Sequence, residues 1–186
     1  MGKKVLLLAS GGLDSSYLLY KNMQEGNEVR LLYIDIKNNG FKSKKERKSI
    51  KLQKKYYEDN YSKFPGAYIE ENYFNLELLS CKPDLVFSQM PLWLFGILYY
   101  SYEVSEVQVG YVMNDDAVSY LEDLKNLFKQ FSWMFKDGKT PLLTFPVAKL
   151  KKEQLYYELP REIIDTIVYC ENPLYSSKVD KYETCG

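Results

Sequence analysis

Residues 4–9, Lys-Val-Leu-Leu-Leu-Ala, are a lysine followed by a short unbroken apolar run. A run of this length, rich in Val and Leu, predicts a strand buried on both faces. Ser10-Gly11-Gly12 ends it. Two glycines open backbone angles closed to other residues and let another group approach the main chain. Leu13, Tyr17, Leu18 and Tyr20 then recur at helical spacing, with Asp14, Ser15 and Ser16 in the first turn, where capping side chains belong. The pattern is strand, tight glycine turn, helix N-terminus. It aims unpaired N–H groups and the positive end of a helix dipole at one spot. Such a spot suits an anion, and phosphate is the usual one.

The same reading continues along the chain. Glu28–Ile36, "EVRLLYIDI", predicts a second strand with Asp35 at its end. Lys42–Asp59 predicts a basic helix, Ala67–Ile69 a short third strand and Pro91–Val104 a buried helix. "EVQVGY" predicts a strand ending at Gly110, followed after "MNDDA" by a helix over Val118–Phe135. "TPLLTFPV" reads as extended, and "KKEQLYYEL" as a short helix stopped by Pro160. Strands alternating with helices imply an α/β fold: a doubly wound, mainly parallel sheet with helices on both faces. In such sheets ligands bind beyond the carboxyl ends of the strands. Ser10–Ser15, Asp35 and Gly110–Asp116 all follow predicted strands and would gather at one edge.

Composition narrows the chemistry. With 46% hydrophobic residues in 186, the chain can build a real core. Lys+Arg and Asp+Glu stand at 25 each, so net charge favours neither a nucleic-acid nor a membrane partner, and leaves nucleic acid open as the less expected one. The longest apolar segment, Pro91–Tyr102, is too short to span a bilayer. The opening residues lead into a segment broken by Gly11-Gly12 and Asp14, without a small-residue cleavage site, so no secretory signal is read. Three cysteines without secretory features point to a reducing cytoplasm. Histidine is absent, which removes Ser-His-Asp and Cys-His mechanisms. Phosphates, carboxylates, lysines, main-chain donors and a divalent metal remain.

Ser10-Gly11-Gly12-Leu13-Asp14-Ser15 resembles the S-G-G-x-D-S signature of the PP-loop ATP pyrophosphatases, whose fold is the adenine nucleotide alpha hydrolase type. Three later blocks resemble the 7-cyano-7-deazaguanine synthase (QueC) family within that superfamily. "GYVMNDDAVSY" resembles its Gly…Asp…Tyr block; Asp116 takes the Asp position counted from Tyr120, and Asp115 does so counted from Gly110. Pro146, Leu150 and Lys152 match its Pro-Leu-x-x-Leu-x-Lys block. "TIVYCENP" with a later "CG" resembles the start of its zinc knuckle, giving Cys170 and Cys185 as two of four ligands. Residues 1–165 would then be the ATP-binding domain and 166–186 a cysteine-containing tail. The chain departs from the family at Asp35-Ile36-Lys37-Asn38, at "SQMPLW", and at Tyr120-Leu121-Glu122-Asp123-Leu124, where the family carries an Arg.

The resemblance implies ATP and Mg²⁺ as cofactors, with zinc as an incomplete third. Ser10, Gly11, Gly12, Leu13, Asp14, Ser15 and Ser16 would hold the phosphates, with Gly110 beside them. Asp14 would bind magnesium or cap its helix. Asp35 would face the adenosine or the metal, or simply form a turn. Asp115 or Asp116 would hold magnesium through waters, or cap the next helix. Lys152 would neutralise phosphate charge, with Lys149 and Lys151 as neighbours in the same run. Tyr120 and Glu122 fall in the substrate block, and Trp93 is a candidate to stack on a flat heterocycle or to fill the core. The lysine-rich helix reads as a solvated face, with RNA as the alternative.

The implied reaction is ATP-dependent: a deazaguanine carboxylate is adenylated and converted with ammonia to an amide and then a nitrile, releasing AMP and pyrophosphate. The family's members often pair, so a homodimer is an open option. Three other readings stay open. One is a diverged QueC-like enzyme that stops at the amide or joins a deazaguanine to another amine. Another is a tRNA-modifying PP-loop enzyme, and the third a non-catalytic nucleotide-binding subunit.

Overall fold

The computed structural model describes residues 2–35, 40–65, 68–75, 90–135, 139–168, 174–176 and 181–183. Strand β1 (Lys4–Leu8) lies at the centre of a five-stranded parallel sheet. On one side it pairs with β2 (Glu28–Asp35), which pairs with β3 (Tyr68–Asn75). On the other it pairs with β4 (Glu106–Val109), which pairs with β5 (Leu142–Thr144). The order β3-β2-β1-β4-β5 reverses direction between β1 and β4. At such a reversal the loops leaving two neighbouring strands diverge to opposite faces, and a crevice opens at their carboxyl ends.

Period-two alternation along the strands builds two cores. Leu7, Val29, Leu31, Tyr33 and Ile69 pack with side chains from α1 (Leu13–Gln24), α2 (Gly40–Asp59), α5 (Lys152–Glu158) and α6 (Arg161–Ile164). Their neighbours Leu6, Leu32, Ile34, Val107 and Val109 pack with α3 (Met90–Tyr100) and α4 (Leu121–Gln130). Strands buried on both faces explain the continuous apolar runs in the sequence. Buried Asn22 locks α1 to the sheet by donating to Gln108 Oε1 at 2.7 Å and to Leu18 O at 2.8 Å.

Several predicted elements change their bounds. The third strand covers Tyr68–Asn75 rather than Ala67–Ile69. It is an edge strand, and its polar residues are held by ions: Arg30 Nε donates to Glu70 at 3.2 Å, and Lys54 lies 3.1 Å from Glu71. The helix expected over Val118–Phe135 is three pieces: a 3₁₀ turn at Asp116–Tyr120, then α4, then a 3₁₀ turn at Ser132–Met134. The buried helix α3 stops at Tyr100, short of Val104, and Glu103 then takes a φ of 58°. Helix α6 was not expected, because Pro160 reads as a stop; it serves instead as that helix's N-cap residue. Nor was the antiparallel pair β6 (Leu174–Ser176) and β7 (Lys181–Glu183). Cys81, Cys170 and Cys185 lie outside the described residues, as do Ile36, Lys37 and Asn38. No helix among the described residues is long and apolar enough to cross a membrane.

Candidate functional site

The glycine turn between β1 and α1 is fastened from within. Gly12 is the N-cap residue of α1 with extended backbone, and no side chain caps it among the described residues. The hydroxyls of Ser15 and Ser16 donate instead to Gly12 O, at 3.2 and 2.7 Å. Ser10 N–H donates to Ser15 Oγ at 3.2 Å. The N–H groups of the first helical residues, Leu13, Asp14 and Ser15, have no carbonyl one turn earlier to bond within the helix. These donors and the positive end of the α1 dipole face the crevice.

The turn is also fastened from outside. Gly11 adopts φ +69°, and a Cβ there would lie 2.8 Å from Ser49 Cβ. That contact carries a hydrogen bond, Ser49 Oγ to Gly11 O at 3.1 Å. Gln53 Nε2 donates to Ser16 Oγ at 2.8 Å. Val168 N–H donates to Gly11 O at 3.0 Å from the far end of the sequence. Gly11 and Ser16 thus face away from the crevice and set the turn's shape. Ser10, Gly12, Leu13, Asp14 and Ser15 line a cavity of about 490 Å³.

Gly110 forms the opposite lip. A Cβ at this position would stand 3.0 Å from Asp14 Cβ and 3.2 Å from Ser15 N. Only glycine lets the end of β4 press so closely on the first turn of α1. Beyond it Met113 N–H donates to Leu150 O at 3.1 Å, which brings the loop after β4 beside the start of α5. Asp115 Oδ2 accepts from Val112 N–H at 2.9 Å, and Asp115 Oδ1 lies 3.7 Å from Lys152 Nζ. Asp14, Asp115 and Lys152 therefore line one cavity. Burial pushes the Asp14 carboxyl up to about 6; Lys152 pulls it down and Asp115 pushes it further up. Its Oδ1 is buried with no hydrogen-bond partner among the described residues.

The other sequence candidates separate. Asp116 is exposed at the start of its 3₁₀ turn and does not line the cavity. Asp35 is buried at the end of β2 and holds α2: Ser43 Oγ donates to it at 2.8 Å and Arg47 at 2.7 Å. Tyr120 is exposed, and Glu122 pairs with Lys125 on the surface at 2.6 Å. Neither lines the cavity, whereas Trp93 does, its ring centre 6.2 Å from that of Tyr111. Tyr33, Glu46 and Tyr111 also line it and were not singled out from the sequence. Tyr111 directly follows Gly110, and that adjacency was the available signal. Tyr33 and Glu46 carried none, since they meet only through the fold, as a hydrogen bond of 2.7 Å.

The donor set suits some ligands better than others. Two carboxylates at one cavity, Asp14 and Asp115, fit magnesium, which takes one or two carboxylates and completes its shell with waters and other oxygens. Among the described residues no cluster of three or more His, Cys, Asp or Glu side chains offers a zinc site.

No protein-family model and no curated protein matches the chain. Solved structures resemble it, these three among them at low identity. A predicted tRNA methyltransferase subunit from Methanocaldococcus jannaschii is 14% identical with a TM-score of 0.47, over 83% of this chain and 72% of the other. An NMN synthetase from Francisella tularensis is 17% identical with a TM-score of 0.44, over 88% of this chain and 64% of the other. A protein from Pyrococcus horikoshii Ot3 is 14% identical with a TM-score of 0.39, and this chain spans 39% of its length.

Proposed function

We propose that this chain binds ATP and cleaves it to AMP and pyrophosphate, in the manner of the PP-loop pyrophosphatases that its S-G-G-x-D-S turn resembles. One observation carries the reading. The glycine turn sits at the carboxyl end of the central strand, at the point where strand order reverses, and lines one cavity with the adjoining Asp14 and with Asp115 and Lys152 from later loops.

The residues divide the work. Main-chain N–H groups of Leu13–Ser15 and the α1 dipole hold the phosphates. The Lys152 ammonium moves from Asp115 to the phosphates and offsets the charge that builds as pyrophosphate departs. Asp14 and Asp115 would hold magnesium, which would supply further charge neutralisation. Trp93 and Tyr111 present flat faces for a heterocyclic acceptor. An acceptor oxygen attacks the α phosphorus, the bond to the bridging oxygen breaks, and a nitrogen nucleophile then displaces AMP. Positioning and charge neutralisation suffice for such chemistry, so the absence of histidine is no obstacle.

The finer reading follows the QueC resemblance: the acceptor is a 7-carboxy-7-deazaguanine, the nucleophile ammonia and the product an amide or nitrile. The test is one incubation with Mg-ATP, ammonium and 7-carboxy-7-deazaguanine, read by mass spectrometry. AMP with the amide or nitrile base supports both levels. An amide alone marks a diverged enzyme that stops early. AMP without a new base keeps ATP cleavage and removes this acceptor. ADP in place of AMP, or no nucleotide bound at all, overturns the proposal; bound ATP that is never cleaved marks a binding subunit.

A further inference from the structure

We propose that the outer face of α2 is a docking ridge for the phosphate backbone of a nucleic acid. The helix Gly40–Asp59 carries Lys or Arg at eight positions and Asp or Glu at three, in a chain whose total charge is zero. Part of this charge is committed inward. Arg47 binds Asp35 and Lys54 lies against Glu71. Lys44, Lys48, Lys51 and Lys55 are different: all four are exposed, and none forms an ion pair among the described residues. Their spacing of four, three and four residues puts them on one side of the helix. The ridge is about 16 Å long at 1.5 Å per residue.

A surface chosen only for solubility mixes charges of both signs, whereas this one repeats a single sign for three turns. Like charges at i,i+4 repel and cost the helix stability, so the arrangement is unfavourable until an anion with several charges lies along it. A lipid surface is the poorer match. Helices that lie on membranes press a bulky apolar face into the bilayer, and the apolar side of α2 is used by the core, with Ile50 and Tyr57 at 3% and 2% exposure. A nucleic-acid strand needs no apolar face, only cations in a row. The first turns of α2 also line the cavity, through Lys42, Ser43 and Glu46. At 3.6 residues per turn these three lie on the side of the helix opposite the ridge, so the ridge is a surface separate from the cavity. The inference rests on this charge geometry and holds whether or not the cavity turns ATP over.

The experiment is fluorescence anisotropy of the full chain with labelled unfractionated tRNA, and separately with a DNA duplex, from 50 to 200 mM salt without nucleotide. Four phosphate contacts predict a log–log salt slope of about −3.6, and so a loss of affinity of roughly 100-fold over that range. The pair Lys48→Gln and Lys51→Gln should reduce the slope by about 2. Lys129→Gln with Lys139→Gln makes the same change in net charge on other exposed lysines and should leave the slope unchanged. Melting curves confirm folding, and Lys44→Gln with Lys55→Gln replaces the central pair if that pair does not fold. Preference for tRNA over duplex, or the reverse, identifies which nucleic acid the ridge serves. Absence of binding to either at 50 mM salt overturns the proposal. So does equal weakening by the control pair, or binding to anionic phosphatidylserine vesicles without binding to nucleic acid.

Discussion

Replacing Asp14 with Asn should make the empty protein more stable while disabling it. Burial raises this carboxyl from 3.8 to about 6, and Oδ1 has no hydrogen-bond partner among the described residues. A raised pKa means that the folded state holds the proton more tightly than the unfolded chain. The stability that Asp14 brings is therefore complete below pH 3.8 and lost as pH rises through 6. A difference of about two, at 1.36 kcal/mol each, gives roughly 3 kcal/mol. Solvent at the cavity mouth screens part of this, leaving about 1–2 kcal/mol at pH 8. Asn carries no charge to desolvate. Urea denaturation should show Asp14→Asn more stable by that amount at pH 8 and equal to the wild type near pH 3.5. The melting temperature at pH 8 should rise by about 2–8 °C. Pyrophosphate release should fall by at least about 100-fold. A variant no more stable at pH 8, or one whose gain does not change with pH, would refute the account of Asp14 as a carboxylate held at a cost for its site.

Gly110→Ala places a methyl group against the Asp14 backbone, which has little room to give; the expected cost is about 1–3 kcal/mol in urea, and calorimetry should show weaker ATP binding. Lys152→Gln breaks a half-exposed ion pair, so stability should change by less than about 1 kcal/mol; pyrophosphate release should drop by about 100-fold or more, and an unchanged rate would remove Lys152 from the reaction. Arg47→Gln leaves the buried Asp35 without its strongest donor, and a double-mutant cycle with Asp35→Asn should return a coupling of about 1.5–3 kcal/mol. Additivity in that cycle would mean that the pair does not hold α2 to β2.

The central strand, its glycine turn and the helix after it were legible in the sequence because each rests on local chemistry. An apolar run, two glycines and a helical repeat need no partner to be recognised. Strand β3 was not legible past Ile69. Its Glu70 and Glu71 look like loop residues, and backbone pairing with β2, together with ion pairs to Arg30 and Lys54 distant in sequence, makes an edge strand of them. Helix α4 was read too long because its pattern continues into 3₁₀ turns at both ends. Within the site, adjacent carboxylates could not be told apart by spacing. Asp115 faces the cavity because its Oδ2 accepts the Val112 N–H, while Asp116 begins the next turn in solvent. Asp35 is the converse case: its place at a strand end was readable, but its engagement by Ser43 and Arg47 depends on how α2 returns across the sheet.

Gly11 O accepts two hydrogen bonds whose donors are made at very different times. Ser49 emerges from the ribosome soon after the turn itself, and Val168 follows more than a hundred residues later. At about 5–20 residues per second, the interval between them is on the order of ten seconds. During that interval β1, β2 and α2 can already pair, because their contacts span short stretches of chain. The turn would then exist in outline, tied to α2 and open on its other side. The turn's final shape therefore waits for α6 and Val168 to be made, long after its first tie to α2 is in place.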